Sequence, residues 1–116
     1  MKITVFGTKE DLACVTRAAE DIPLLQYRKL IWEHAEDYDT LMRLCPDAEL
    51  CVIAQDGAEG MEGAMLLHRV SPACPVIWFS ADPAFGAQAR RLGCVWFGEK
   101  PITETAMTGA ILNALR

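Results

Sequence analysis

Two stretches of this chain have no polar side: Leu50 to Ala54 (LCVIA) and Val76 to Phe79 (VIWF) are apolar at every position. Successive strand side chains point to opposite faces, so a half-exposed strand alternates polar and apolar residues. A run without alternation belongs to a strand covered on both faces, the usual place of a parallel strand between helical layers. Short β-branched or aromatic runs recur at Ile3 to Phe6 (ITVF) and Cys94 to Phe97 (CVWF), and less regularly around Lys29 to Trp32. Five strands are expected.

Helical spacing fills the intervals. Leu12, Val15, Ala19 and Ile22 form one stripe, with Thr8 and Asp11 placed as a capping pair and Pro23 as the stop. Asp37 introduces Tyr38, Leu41, Met42 and Leu44, and Pro46 ends them. Met61 to Val70 (MEGAMLLHRV) reads as the third helix after a small, acidic loop from Asp56 to Glu62, and SPACP as its exit. Asp82-Pro83 opens a fourth helix that Gly93 closes. After the connection Gly98-Glu99-Lys100-Pro101, Thr103 caps a last helix carrying Met107, Ala110, Ile111 and Leu115.

Five βα units with apolar strands imply an α/β three-layer sandwich, because right-handed crossovers place helices on both faces of a parallel sheet. Functional groups in such a fold collect at the carboxyl ends of the strands. The residues to weigh there are Phe6-Gly7-Thr8, Gln55-Asp56, Ser80 and Lys100-Pro101.

Composition sets limits. With 116 residues, 52% of them hydrophobic, the chain suits a single domain over 1–116. A net charge of -5 with scattered basic residues argues against nucleic-acid contact by this domain. No apolar stretch is long enough to span a membrane and the N-terminus lacks a signal-like segment, so a cytoplasmic location is expected. The five cysteines show no CxxC or Cys/His spacing and read as free thiols, with no metal or other cofactor implied. The chain stops where the last helix would end, as a stand-alone domain or as a piece of something longer.

The chain resembles the receiver domain of bacterial two-component response regulators, on MEG at Met61 to Gly63, PVIWFSA at Pro75 to Ala81 and RLGCVWFGEKPIT at Arg91 to Thr103. The resemblance implies a CheY-like (flavodoxin-like) fold with strand order 2-1-3-4-5. It also implies a pocket in which a carboxylate ending strand 3 accepts a phosphoryl group while Mg²⁺, held by an acidic pair after strand 1, and a lysine neutralise its oxygens. Carried over, Ser80 matches the family's Ser/Thr, Lys100 its lysine, Pro101 the proline behind a cis bond, and Phe97 the switch aromatic. Anchored on Met61-Glu62-Gly63, the phosphoacceptor position falls on Gln55, an amide that cannot form an acyl phosphate as a carboxylate does. The acidic pair is replaced by Phe6-Gly7, with Glu10 and Asp11 expected in the first helical turn.

Asp56 reads as a turn residue before Gly57, since strand alternation turns it away if Gln55 faces the pocket, unless the strand end is bulged. The residues therefore describe an atypical pseudo-receiver, not an enzyme, acting in signal transduction and transcription regulation. The resemblance further implies a homodimer through the face of the fourth helix, fifth strand and fifth helix. The stretch between Ser80 and Lys100 is most like receivers fused to LytTR-type DNA-binding domains, which would place such a domain beyond Arg116. Two other readings stay open: a receiver that accepts phosphate on Asp56, and a small-molecule-binding flavodoxin-like domain.

Overall fold

Five strands and six helices alternate along the chain in the computed structural model, which describes residues 1–116. The strands are β1 (Lys2–Phe6), β2 (Ile31–Ala35), β3 (Leu50–Ile53), β4 (Val76–Ser80) and β5 (Trp96–Glu99). The helices are α1 (Lys9–Glu20), α2 (Pro23–Gln26), α3 (Tyr38–Leu44), α4 (Gly57–Val70), α5 (Gly86–Arg91) and α6 (Glu104–Ala114), with 3-10 turns at Cys45–Asp47 and Pro83–Phe85. All neighbouring strands pair parallel, in the order β2-β1-β3-β4-β5. This is the sheet expected from the apolar runs and from the resemblance.

The sheet separates two cores. On one face Ile3, Val5, Val52, Ile77 and Phe79 meet Val15 and Ala18 of α1 and Met107 and Ile111 of α6. On the other, Phe6, Ile53 and Trp78 meet Leu41 of α3, Leu67 of α4 and Ala89 of α5. Every residue of β3 and β4 is buried, which is why those runs carry no polar alternation.

The two edge strands depart from expectation. The sequence placed the second strand around Lys29–Trp32 and the fifth at Cys94–Phe97, and each starts two residues later. Edge strands are covered less, so Glu33, His34 and Glu99 belong to them despite their polarity. Pro23 does not stop α1, which ends at Glu20; it opens the added turn α2. The caps fall as expected, with Thr8, Asp37, Asp82 and Thr103 each accepting a backbone N–H near the start of its helix or 3-10 turn. No helix is long and apolar enough to cross a membrane.

The largest correction lies at α4, which starts at Gly57 and not at Met61. No proline interrupts Gly57 to Glu62, so nothing prevents the helix from extending back to the strand. Two glycines make the tight entry possible. Gly57 takes a φ of 69°, and a Cβ on Gly60 would strike the Gln55 carbonyl oxygen.

Candidate functional site

The carboxyl ends of β3, β4 and β5 bring Asp56, Ser80 and Lys100 together. Lys100 Nζ donates to the Ala54 carbonyl at 2.6 Å and to Asp56 Oδ2 at 3.2 Å. The other carboxylate oxygen, Asp56 Oδ1, accepts the Ala81 backbone N–H at 3.0 Å. Asp56 is therefore clamped between a cation and a backbone donor, both of which suit an anionic oxygen. Its side chain remains half exposed and that of Lys100 is mostly covered.

This reverses the assignment of Gln55 and Asp56. The sequence anchor put Gln55 in the pocket, but its amide nitrogen donates to Glu59 Oε2 at 3.2 Å, over the start of α4. The cause is local. β3 ends at Ile53, and the N–H groups of Ala54 and Gln55 both donate to the Phe6 carbonyl, at 2.8 and 3.0 Å. Two donors on one acceptor form a bulge at the strand end, which rotates the next residue toward the pocket. Strand alternation no longer applies at residue 56.

Ser80 is 1% exposed and its Oγ accepts the Asp82 N–H at 3.1 Å, which ties the hydroxyl to the turn after β4. The Lys100–Pro101 peptide bond is cis. Phe97 stands edge-on to Trp78 with ring centroids 5.7 Å apart, and Trp78 stacks on Phe85 at 5.4 Å. Trp78 is fully buried, whereas Trp32 and Trp96 are half-buried.

The end of β1 is closed. Asp11 Oδ2 accepts both the Thr8 N–H at 2.8 Å and the Thr8 hydroxyl at 3.0 Å, while Thr8 Oγ1 accepts the Asp11 N–H. That carboxylate is committed to a capping box. His34 reaches from β2 to the Gly7 carbonyl at 2.9 Å, and the Gly7 N–H donates to Ala35. Mg²⁺ takes several oxygen ligands in near-octahedral array, and Phe6 and Gly7 supply no side-chain oxygen. No group of three His, Cys, Asp or Glu side chains converges anywhere in the molecule to hold a metal ion. The residues present do not fit the ion that the receiver pattern calls for.

Other candidates are inert. Burial pushes the thiols of Cys74 and Cys94 up to about 11 and that of Cys51 well above its ordinary value, so all three are neutral and poorly nucleophilic near pH 7. The three surface grooves lie between α1, α2 and β2, at Pro46–Glu49 with Val70–Cys74, and between α5 and β5. None is lined by Asp56, Ser80 or Lys100.

Sequence reasoning missed the Ala54 carbonyl, the Ala81 N–H and His34. The first two are backbone groups, which no residue pattern reports; His34 had a signal only in its place on a strand beside the β1 turn.

Topology and strand-end site together define a CheY-like receiver fold. No protein-family model matches the sequence, and no curated protein sequence matches it. Solved structures do. An orphan response regulator of H. pylori, HP1043, superposes with a TM-score of 0.77 at 13% identity, covering 100% of this chain and 97% of that one. A CheY-like response regulator receiver domain protein from Methanospirillum hungatei JF-1 gives 0.75 at 14%, covering 98% and 91%. A protein of Sinorhizobium meliloti 1021 assigned as the pilus assembly protein CpaE2 gives 0.73 at 16%, covering 98% and 99%.

Proposed function

We propose that this chain is a receiver-type signalling module, working in the cytoplasm through protein contacts and without the conventional metal-assisted phosphorylation of an aspartate. The observation that carries this reading is the donor set at the end of β1. Phe6 and Gly7 offer no metal ligand, and the nearest carboxylate, Asp11, is held by Thr8. Without a cation to neutralise phosphoryl oxygens, phosphorylation loses its largest electrostatic contribution. Lys100 supplies one charge, and Asp56 already engages it.

The face of α5, β5 and α6 is the surface proposed for its protein partner; Val95 and Leu112 are exposed there and Trp96 is half-buried. Output through transcription would need a DNA-binding segment, of the LytTR type or another, on the same polypeptide. Regulation would then act by partner binding on a pre-set conformation. Intact mass after incubation with acetyl phosphate and Mg²⁺ tests the reading: an unmodified mass is expected, and a stable adduct of one phosphoryl group overturns it.

One observation favours a second reading, in which Asp56 itself accepts phosphate. Its carboxylate lies 3.2 Å from Lys100, the contact that such a role requires. Under that reading the adduct forms and is lost in Asp56→Asn but kept in Gln55→Glu.

A further inference from the structure

β2 is an edge strand with an open side. Ile31 donates its N–H to Met1 and Ala35 accepts from Gly7, so residues 31, 33 and 35 turn their backbone groups toward β1. The intervening Leu30, Trp32 and His34 turn theirs outward, because parallel strands bond their two neighbours through alternate residues. Proteins guard such edges with charge, proline or a covering element. Here no proline lies in the strand, no further strand covers the edge, and Glu33 is the one carboxylate within it. The opposite edge differs: β5 is a residue shorter, and just before it the Asn113 amide donates to the Val95 carbonyl at 2.8 Å.

The surroundings of the β2 edge are apolar. Three of the eight exposed large apolar side chains of the molecule lie beside it: Leu24 at 68%, Tyr27 at 93% and Ile31 at 41% exposure. Leu24 sits on the added turn α2, and Tyr27 ends it. Between this turn, α1 and β2 runs a groove of about 290 Å³ with Leu25, Leu30 and Trp32 in its lining. Charge is asymmetric about the strand, with Arg28-Lys29 before it, Glu33 at its centre and Glu36 just after it.

We propose that β2 pairs antiparallel with β2 of a second copy of this chain, joining two sheets into one across a two-fold axis. The strand complements itself. Centred on Trp32, the pairing sets Trp32 against its own copy and Leu30 against His34, all residues whose backbone groups point outward. Ile31 then faces Glu33, and Arg28 and Glu36, in the bends just outside the strand, come to the same end of the junction, so no like charges stand opposite and the unlike pair is favourable. An isologous contact of this kind closes as a dimer and leaves neither β2 edge open. A two-fold normal to the sheet keeps the α1/α2 layers of both copies on the same side, where Leu24 and Tyr27 come together over the junction. The α5–β5–α6 face remains free for a different protein.

Sedimentation velocity across a concentration series, combined with hydrogen exchange, tests this. Self-association is expected, with the Trp32 and His34 amides slowing in exchange as concentration rises. Reversing one charge in Arg28→Glu weakens the dimer about tenfold, since both symmetry-related pairs are hit. Adding Glu36→Arg restores it, an outcome that a folding defect does not produce; both side chains are exposed, and unchanged thermal unfolding of the single variants checks that the fold is intact. A monomer at every concentration, with those two amides exchanging freely, overturns the proposal and leaves the edge to a strand of another protein. A dimer indifferent to Arg28→Glu but lost in Leu112→Glu overturns it too, and moves self-association to the α5–β5–α6 face.

Discussion

The two sides of the sheet's carboxyl edge are built to different ends. Beside β1, the polar groups are used up in structure: Thr8 and Asp11 cap each other, and His34 holds the Gly7 carbonyl. Beside β4 and β5, Ser80, Lys100 and the cis Pro101 of the receiver pattern are all in place, with Asp56 drawn onto Lys100 and Ala81. The difference teaches that one strand end can hold a part-buried cation while its neighbour offers no side-chain oxygen to a metal. Lys100 has a structural role here, because its ammonium bonds the Ala54 carbonyl at the end of β3 as well as Asp56.

Gly60→Ala strikes the comparison hardest. The new Cβ collides with the Gln55 carbonyl, so α4 has to retreat from the strand end, at a cost of about 3 kcal/mol in urea unfolding. A variant as stable as the parent would show that the early start of α4 does not shape the β3 side.

Lys100→Met comes next. It leaves the buried Ala54 carbonyl without its ammonium partner and Asp56 unpaired, and we expect a loss of about 1–3 kcal/mol. Asp56→Ala removes a half-exposed partner and is expected to cost about 1 kcal/mol or less. Equal losses in the two variants would mean that Lys100 serves only the ion pair.

On the β1 side, Thr8→Ala removes a capping box and is expected to cost about 1 kcal/mol. Amide shifts of Asp56 and Ala81 should stay where they were, because neither Thr8 nor Asp11 shares a hydrogen bond with the groups around Asp56 and Lys100. The smallest effect is a pH dependence at Asp37. Hydrogen bonding to Thr40 holds its carboxyl below the ordinary 3.8. A carboxylate lowered on folding adds stability that is complete above its ordinary value and fades as pH falls toward the folded one. Asp37→Asn, measured by thermal unfolding between pH 5 and pH 2 (about the range over which such a group titrates), should therefore show a slightly flatter acid decline than the parent.

Much of this was written in the residues. LCVIA and VIWF announced central parallel strands, and Thr8, Asp37, Asp82 and Thr103 announced their helix starts, because burial and capping act over a few neighbouring positions. The edges were harder to read, since β2 and β5 are only partly covered and their polar residues blur the pattern. The site was half legible. Ser80, Lys100 and Pro101 were singled out by the receiver resemblance, but the exchange of Gln55 for Asp56 depends on two N–H groups sharing the Phe6 carbonyl, a backbone event without a side-chain signature. The motif anchor at Met61 also assumed a loop of ordinary shape, whereas Ala58-Glu59 let that loop become helix.

Amide spectra of the labelled protein, recorded with Mg²⁺ alone and then with beryllofluoride added, bear most directly on the site. We expect the Gly7, Asp56, Ala81 and Lys100 resonances to remain in place through both additions, as a site without metal ligands requires. Saturable shifts confined to those residues, with Phe97 moving alongside them, would contradict it and make Asp56 a working phosphoacceptor.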